Sequence, residues 1–279
     1  MSTVAIIFSM DRALQCDALV RSLRDHASNL DEMVVIWKAS SELHRRAYEQ
    51  MAIESSAIFV RQIDQPLGQL VYESVQGHTH VCLNVDDQIY FRSTDFAHAT
   101  RWGFVYSWRL GHMPGVTQSL KGRAWSCKAA RDLHYGYVWH TDGAVYRVQN
   151  YISVLDQWVP HWRTNPALIP NDLEQGPAAS REKWSAEAGH FGPLEATCMT
   201  WQINKEKTTK GRYGAPWFEI PGLTDLDTLA YKFIEGKRVV NEILYADQSW
   251  TRRFQQPGSS PTHVRACAEA SQFFASCIR

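Results

Sequence analysis

Two aspartates stand side by side at positions 86 and 87. They end the apolar run Val81-Cys82-Leu83-Asn84-Val85, and apolar residues resume at once. Like charges a few Å apart raise one of the two pKa values unless a cation or water lies between them. A hard divalent cation, Mg²⁺ or Mn²⁺, removes that cost. It takes carboxylate oxygens and keeps other positions for substrate phosphates. The pair therefore reads as a clamp for a metal and a diphosphate, and equally as a solvated Asp-Asp turn.

A second group that can do chemistry is His140-Thr141-Asp142-Gly143. Asp142 suits the work of a general base toward a hydroxyl, or of an acceptor for hydroxyl hydrogen bonds. Gly143 lets the backbone turn there or approach a ligand. The same four residues also read as an ordinary Asp-Gly turn. Arg109, in Trp108-Arg109-Leu110-Gly111, places a guanidinium in an apolar stretch. Buried, it needs a partner, either Asp86, Asp87 or a phosphate, or a structural ion pair. Glu174 is a further carboxylate for acceptor binding or base work, with a surface carboxylate as the competing reading. His190 and His263 have the chemistry of late metal ligands, but each alone reads as a loop or core histidine.

These groups need elements to hold them. Val4–Phe8, Met33–Lys38, Ile58–Arg61 and Thr79–Asn84 are short apolar runs that read as buried strands. Between them, Asp11–His26, Ser41–Glu54 and Gly68–Val75 carry apolar residues at helical spacing. Alternation of this kind predicts βαβ units, a largely parallel sheet, and ligands at the carboxyl ends of its strands. Farther on, Gly103–Leu110, Gly136–His140 and Cys198–Ile203 read as strands. Asn150–Trp158 and Thr224–Glu235 read as helices, the latter closed by Gly236. The stretch from Pro160 to Gly192 predicts loop and short helix, and His263–Arg279 an amphipathic helix. With no repeat and no low-complexity linker, the expectation is one domain over residues 1–279. Residues 1–100 would form a nucleotide-binding half, and 101–279 an acceptor-side half with a C-terminal helix.

The composition narrows the class. The formal net charge is +0, with no long basic run, so strong electrostatic binding to nucleic acid is not indicated. No apolar window approaches the length of a membrane span, and Val4–Phe8 is too short for a secretory leader. Six cysteines without a CxxC pair read as reduced thiols of a cytoplasmic protein. Eleven tryptophans, among them Trp139, Trp158, Trp162 and Trp184, suit either sugar platforms or core packing.

Asn84-Val85-Asp86-Asp87 resembles the acidic motif of GT-A-fold glycosyltransferases, in which an apolar strand ends in D-x-D or D-A-D-D. The last two acidic positions are kept, and the first is Asn. A wider set of pieces, in order, resembles a bacterial group of GT-A-like proteins. It comprises IIFSMDRALQCDALVRSL, VVIWKASSELHRRAYE, LNVDDQIYF, FVYSWRLG, YVWHTDGAVYR, NPALIPNDLE and LAYKFIEGKRV, and covers most of residues 4 to 240.

The resemblance implies a GT-A-like, Rossmann-type α/β fold with a mixed, mostly parallel sheet flanked by helices. It implies a glycosyltransferase using a nucleotide-diphosphate sugar donor and a hydroxyl acceptor, expected to be a glycan or glycolipid. Mn²⁺ or Mg²⁺ would sit at Asp86 and Asp87. Phe8, Ser9, Arg12 and Lys38 would line the nucleotide mouth with Asp86 and Arg109, and Asp142 and Glu174 are the catalytic candidates. Phe8-Ser9-Met10-Asp11-Arg12 holds no glycine, which argues against a nucleotidyltransferase phosphate loop. A non-catalytic GT-A-like module that holds a nucleotide or glycan is the alternative. The expected location is the cytoplasm, compatible with peripheral contact at the inner membrane.

Overall fold

The structure, a computed structural model, describes residues 1–101, 105–108, 124–126, 139–179, 189–191, 198–200, 222–246 and 272–279. The predicted alternation is present. β1 (Thr3–Met10), α1 (Ala13–His26), a two-residue β2 (Ala27–Ser28), β3 (Glu32–Lys38) and α2 (Glu42–Glu54) follow in turn. β4 (Ile58–Arg61), α3 (Leu67–Ser74) and β5 (His80–Val85) complete the first half. Then come β6 (Gln88–Tyr90), β7 (Thr94–Asp95), α4 (Phe96–Ala99), β8 (Val105–Ser107), β9 (Ala124–Ser126) and β10 (Ala144–Arg147). The rest is α5 (Val148–Trp158), α6 (Pro170–Ala179), β11 (Gly189–Phe191), β12 (Cys198–Thr200), α7 (Leu226–Ile234) and α8 (Asn241–Ala246).

The main sheet has the order β4-β3-β1-β5-β10-β8-β11-β9. Its first four strands are parallel. β10 then runs antiparallel to both β5 and β8. The sheet is thus α/β and mixed, as expected, and strands from both halves of the chain join it.

Side-chain alternation along the strands divides the core. Ala5, Ile7, Val35, Trp37 and Cys82 face one side, where Leu14, Leu19 and Leu23 of α1 and Ala47, Tyr48 and Met51 of α2 cover them. Val4, Ile6, Val34, Ile36, Val81 and Leu83 face the other, under Leu67, Leu70 and Val71 of α3 and residues of α5 and α6. The crossovers β1-α1-β3 and β3-α2-β4 therefore lie on one face, and β4-α3-β5 on the opposite face. The strand order reverses between β1 and β5. In open α/β sheets, the crevice outside the carboxyl ends at such a point is where ligands bind.

Local signals explain several boundaries. Ser41 is the N-cap of α2, its side chain accepting from the His44 N–H at 3.4 Å. Asp225 caps α7 through the Thr228 N–H at 2.9 Å. Of the strand expected at Gly136–His140, residues 136–138 lie outside the described residues, and 139 and 140 are not strand; the described ladder begins at Ala144, after the turn at Gly143. Of the C-terminal helix expected over His263–Arg279, residues 263–271 lie outside the described residues. Residues 272–276 are helical, and Ile278 then bridges to Val239 in antiparallel fashion.

Cys16, Cys82 and Cys277 are free and buried. Burial raises all three thiols, Cys82 to about 12 and Cys277 to about 11. Since the thiolate is the reacting species, iodoacetamide at pH 8 is expected to leave these three unmodified in the native protein. All three should label in 6 M guanidinium (roughly complete unfolding), as read by peptide mass spectrometry. Native labelling of Cys16 or Cys82 would contradict the packing of α1 on the sheet.

Candidate functional site

The carboxyl ends of β1, β3 and β5 meet at the point of strand reversal. β1 leads into a tight turn in which Asp11 adopts a left-handed backbone with φ 58°, a conformation that Asp tolerates better than most residues. The turn is tied to the end of β3. The Asp11 N–H donates to the Lys38 carbonyl at 3.2 Å, and the Asp11 carboxylate accepts from the Ser40 N–H at 2.7 Å. Arg12 follows as the N-cap of α1, without a side-chain cap of its own.

Asp86 and Asp87 form a turn between β5 and β6. It is not a solvated one: their relative exposures are 5% and 7%. Asp86 is fixed on both oxygens. Its Oδ1 accepts from Arg12 Nη1 at 2.9 Å, and its Oδ2 accepts from Ser9 Oγ at 2.9 Å and from the Met10 N–H at 3.3 Å. Its own N–H donates to the Phe8 carbonyl at 3.1 Å. Asp87 Oδ2 lies 3.7 Å from Arg12 Nη1. Tyr48 closes the arrangement from α2. Its hydroxyl shares a short hydrogen bond with Ser9 Oγ and accepts from the Arg12 N–H at 3.0 Å. Burial, then the Asp86 charge, pushes the Tyr48 phenol well above its ordinary range, so the hydroxyl stays protonated.

The adjoining segment comes from the start of β10. The Gly143 N–H donates to the Leu83 carbonyl at 2.9 Å, and its carbonyl accepts from the Trp108 N–H at 2.9 Å. Gly143 has φ 67°, which a glycine adopts without strain. Because β10 is antiparallel to β5, its leading residues Asp142 and Gly143 fall at the same sheet edge as the acidic pair. Thr141 Oγ1 donates to Glu174 Oε2 of α6 at 3.2 Å, bringing Glu174 to that edge too. Two hydrogen bonds between the Tyr146 hydroxyl and the His140 backbone, at 3.0 and 2.8 Å, hold the preceding residues. Trp139 stacks on Tyr151 with ring centroids 5.4 Å apart.

Ser9 and Arg12 both contact Asp86, Arg12 also reaches Asp87, and Asp142 and Glu174 share their edge. Phe8 reaches the mouth through its backbone, while its side chain lies in the core. Lys38 is exposed and makes no ion pair among the described residues. Arg109 and His263 lie outside the described residues, as does Trp184. Trp139 and Trp162 are core residues at 0% and 2% exposure. Asn84, the departure from the acidic motif, points into the core, where its Oδ1 accepts from the Tyr90 hydroxyl at 2.8 Å. An aspartate there would bury a charge. Sequence reasoning missed Tyr48. The signal was a phenol within the helical spacing of Leu43, Ala47 and Met51, since a buried tyrosine hydroxyl needs a partner.

Among the described residues, no group of three or more His, Cys, Asp or Glu side chains is placed to hold a cation alone. The donor set suits a hard cation shared with a ligand. It is all oxygen, and among the contacts described two carboxylates face one guanidinium. Open positions would fall to phosphate oxygens.

No family model matches the chain, nor does any curated protein. Among solved structures, the chain is similar to the mannosyltransferase PcManGT from Pyrobaculum calidifontis in complex with GDP-Man and Mn²⁺. That match has 9% identity, covers 97% of this chain and 69% of that one, and has a TM-score of 0.47. It is also similar to residues 1–349 of S. aureus TarS, with 12% identity over 70% of this chain and 58% of that one, TM-score 0.45. A mycobacterial protein matches at 11% identity over 70% and 65%, TM-score 0.38.

Proposed function

We propose that this protein is a glycosyltransferase. It moves a sugar from a nucleotide-diphosphate donor to a hydroxyl acceptor, with Mn²⁺ or Mg²⁺ held at Asp86 and Asp87. One observation carries the reading. The acidic pair ends β5 directly across the strand reversal from the β1–α1 turn, and both carboxylates are buried. Arg12 pairs with both carboxylates, one positive charge against two negative ones, and a bound cation would add to that balance. A metal–diphosphate clamp supplies such a cation, and a solvated turn does not.

In this reading the nucleotide lies across the ends of β1 and β3, between the Ser9–Arg12 turn and exposed Lys38. A divalent cation, when bound, supplies Lewis-acid stabilisation of the departing diphosphate. The chain's own residues do the remaining work. Asp86 holds Ser9, the Met10 N–H and Arg12 in place. Asp87 presents the cation ligand. Arg12 adds a positive charge at a buried position, where such charges count most. Asp142 takes the proton of the acceptor hydroxyl as that oxygen forms its bond to the anomeric carbon, and the diphosphate leaves with the electron pair of the bond that breaks. Glu174, held by Thr141, binds the acceptor. A glycan or glycolipid supplies the hydroxyl. Among the described residues, no helix is long and apolar enough to cross a membrane, and the whole of residues 1–279 would serve as one catalytic unit.

The test is calorimetric titration of UDP and of GDP, with and without Mn²⁺. Metal should strengthen binding of at least one of them by about tenfold, or 1.4 kcal/mol. Equal binding in both conditions would remove the clamp. Metal-dependent binding with no transfer or hydrolysis of any donor sugar would make the protein a binding module instead.

A further inference from the structure

β4 is the outermost strand of the main sheet, and its ladder is the parallel one to β3. The Gln62 N–H continues that ladder, donating to the Trp37 carbonyl at 2.8 Å. Backbone groups alternate sides along a strand. Ile58, Val60 and Gln62 therefore turn their N–H and C=O toward β3, and Phe59 and Arg61 turn theirs outward. Among the described residues, nothing pairs with these outward groups. An open edge of this kind is a template for another strand. The side chains around it are apolar. Ile53, Ile58 and Ile63 bracket β4 and are 86%, 49% and 62% exposed. Beside Ile58 is a recess under α3, floored by Val34, Val60 and Leu70 and rimmed by Glu32 and Glu73.

We infer that β4 is a dimerisation edge, and that its partner is β4 of a second copy of this chain, antiparallel across a two-fold axis at Val60. The edge is self-complementary in that arrangement. Phe59 falls opposite Arg61 of the second copy, and the outward N–H and C=O of each meet those of the other, so none is left over. Residues opposed in an antiparallel pair share a face. On the α2 side, the Arg61 guanidinium lies 5.4 Å from the centroid of the Trp37 ring. The pairing brings Phe59 of the second copy to the same cation, a second aromatic partner for it. On the α3 side, Val60 packs on Val60. Gln62 falls opposite Ile58, where its amide N–H groups face the acidic rim of Glu32 and Glu73. A strand of another protein could use the same backbone groups, but it would not bring this cation to Phe59 and these amide donors to the rim. A two-fold contact also closes on itself, so the edge is consumed rather than extended into a fibre.

Sedimentation velocity on the whole chain tests this. Wild type is expected to build up a species of twice the 31.9 kDa chain mass, with a dissociation constant in roughly the micromolar range. Arg61→Pro removes an outward N–H and the guanidinium but spares the ladder to β3, since proline is accepted where an edge N–H faces solvent. Ile58→Lys puts a charge on the edge and a rival donor at the acidic rim. Each should weaken the dimer by about tenfold or more, with an unchanged circular dichroism spectrum. Ile169→Lys, at an exposed isoleucine away from this edge, should leave it as in wild type. If Arg61→Pro does not fold, Ile58→Lys carries the test. A wild type still monomeric at about 0.5 mM overturns the inference and leaves the edge to a strand of another protein. A dimer that survives Ile58→Lys, or that Ile169→Lys weakens equally, overturns it as well.

Discussion

Asp87→Ala is expected to abolish metal-dependent nucleotide binding and to lower sugar transfer by about 10²–10³-fold, the usual cost of losing one electrostatic contact at a reacting centre. The folded state should survive it. The guanidinium of Arg12 keeps its hydrogen bond to Asp86 at 2.9 Å and loses a longer contact to Asp87 at 3.7 Å. Asp86→Ala should behave differently. It removes the acceptor of Arg12, of Ser9 and of the Met10 N–H at once, in a site where the Arg12 side chain is 8% exposed. Removing one partner of a buried ion pair costs about 3–5 kcal/mol. Urea unfolding and nucleotide calorimetry on the two variants, side by side, read the contrast. Equal losses of stability would mean that the two aspartates share one structural task. An Asp87→Ala protein that still binds nucleotide with Mn²⁺ dependence would place the metal elsewhere.

The contrast between neighbours was not legible in the amino-acid sequence. Asp86-Asp87 at a strand end fits either a clamp or a wet turn, and the deciding facts are long-range. Arg12 is 74 positions from Asp86, and the hydroxyl that aligns Ser9 comes from α2. Charge in a sequence says nothing about burial until the partner is placed. The first ninety residues were legible for the opposite reason. Parallel strands buried on both faces appear as unbroken apolar runs, and Ser41 marks a helix start by its own chemistry. The antiparallel part was harder. β8 and β10 span three and four residues, too few for a period to show. The start of β10 at Ala144 follows the left-handed turn at Gly143. Asn84 is the instructive case. Set against an acidic motif it looks like a lost ligand, yet its amide serves Tyr90 in the core. Residues 82 and 84 share the side of β5 that faces α1, while the chain reaches the crevice only at 86.

Gly68→Ala should carry the second large effect, through backbone packing against Trp162. Gly68 is buried in the first turn of α3, the helix that crosses the sheet from β4 to β5. A Cβ there would overlap the carbonyl oxygen of Trp162 and lie 2.6 Å from its carbonyl carbon. These are backbone atoms, so no rotamer change relieves the clash. Trp162 is also held in place. It is 2% exposed, its Nε1 donates to Asp156 at 2.8 Å, and its ring meets Tyr72 edge-on at 6.3 Å. Overpacking of this kind costs about 3 kcal/mol, which lowers the melting temperature by roughly 6–12 °C for a chain of this size. Gly77→Ala is the control. Gly77 has φ 82° with nothing within 4 Å of the added atom, so only backbone strain of about 1 kcal/mol is at stake. The functional consequence follows from connectivity. The segment holding Trp162 joins α5 to α6, and α6 carries Glu174 to Thr141 beside Asp142. At a temperature where Gly68→Ala is fully folded, nucleotide affinity should match wild type, because the β1–α1 turn and acidic pair are untouched. Transfer should fall, because the acceptor side has shifted. A variant that melts within about 1 °C of wild type would show that α3 and the Trp162 segment do not pack this closely, and would remove the route by which α6 is aligned with the sheet edge.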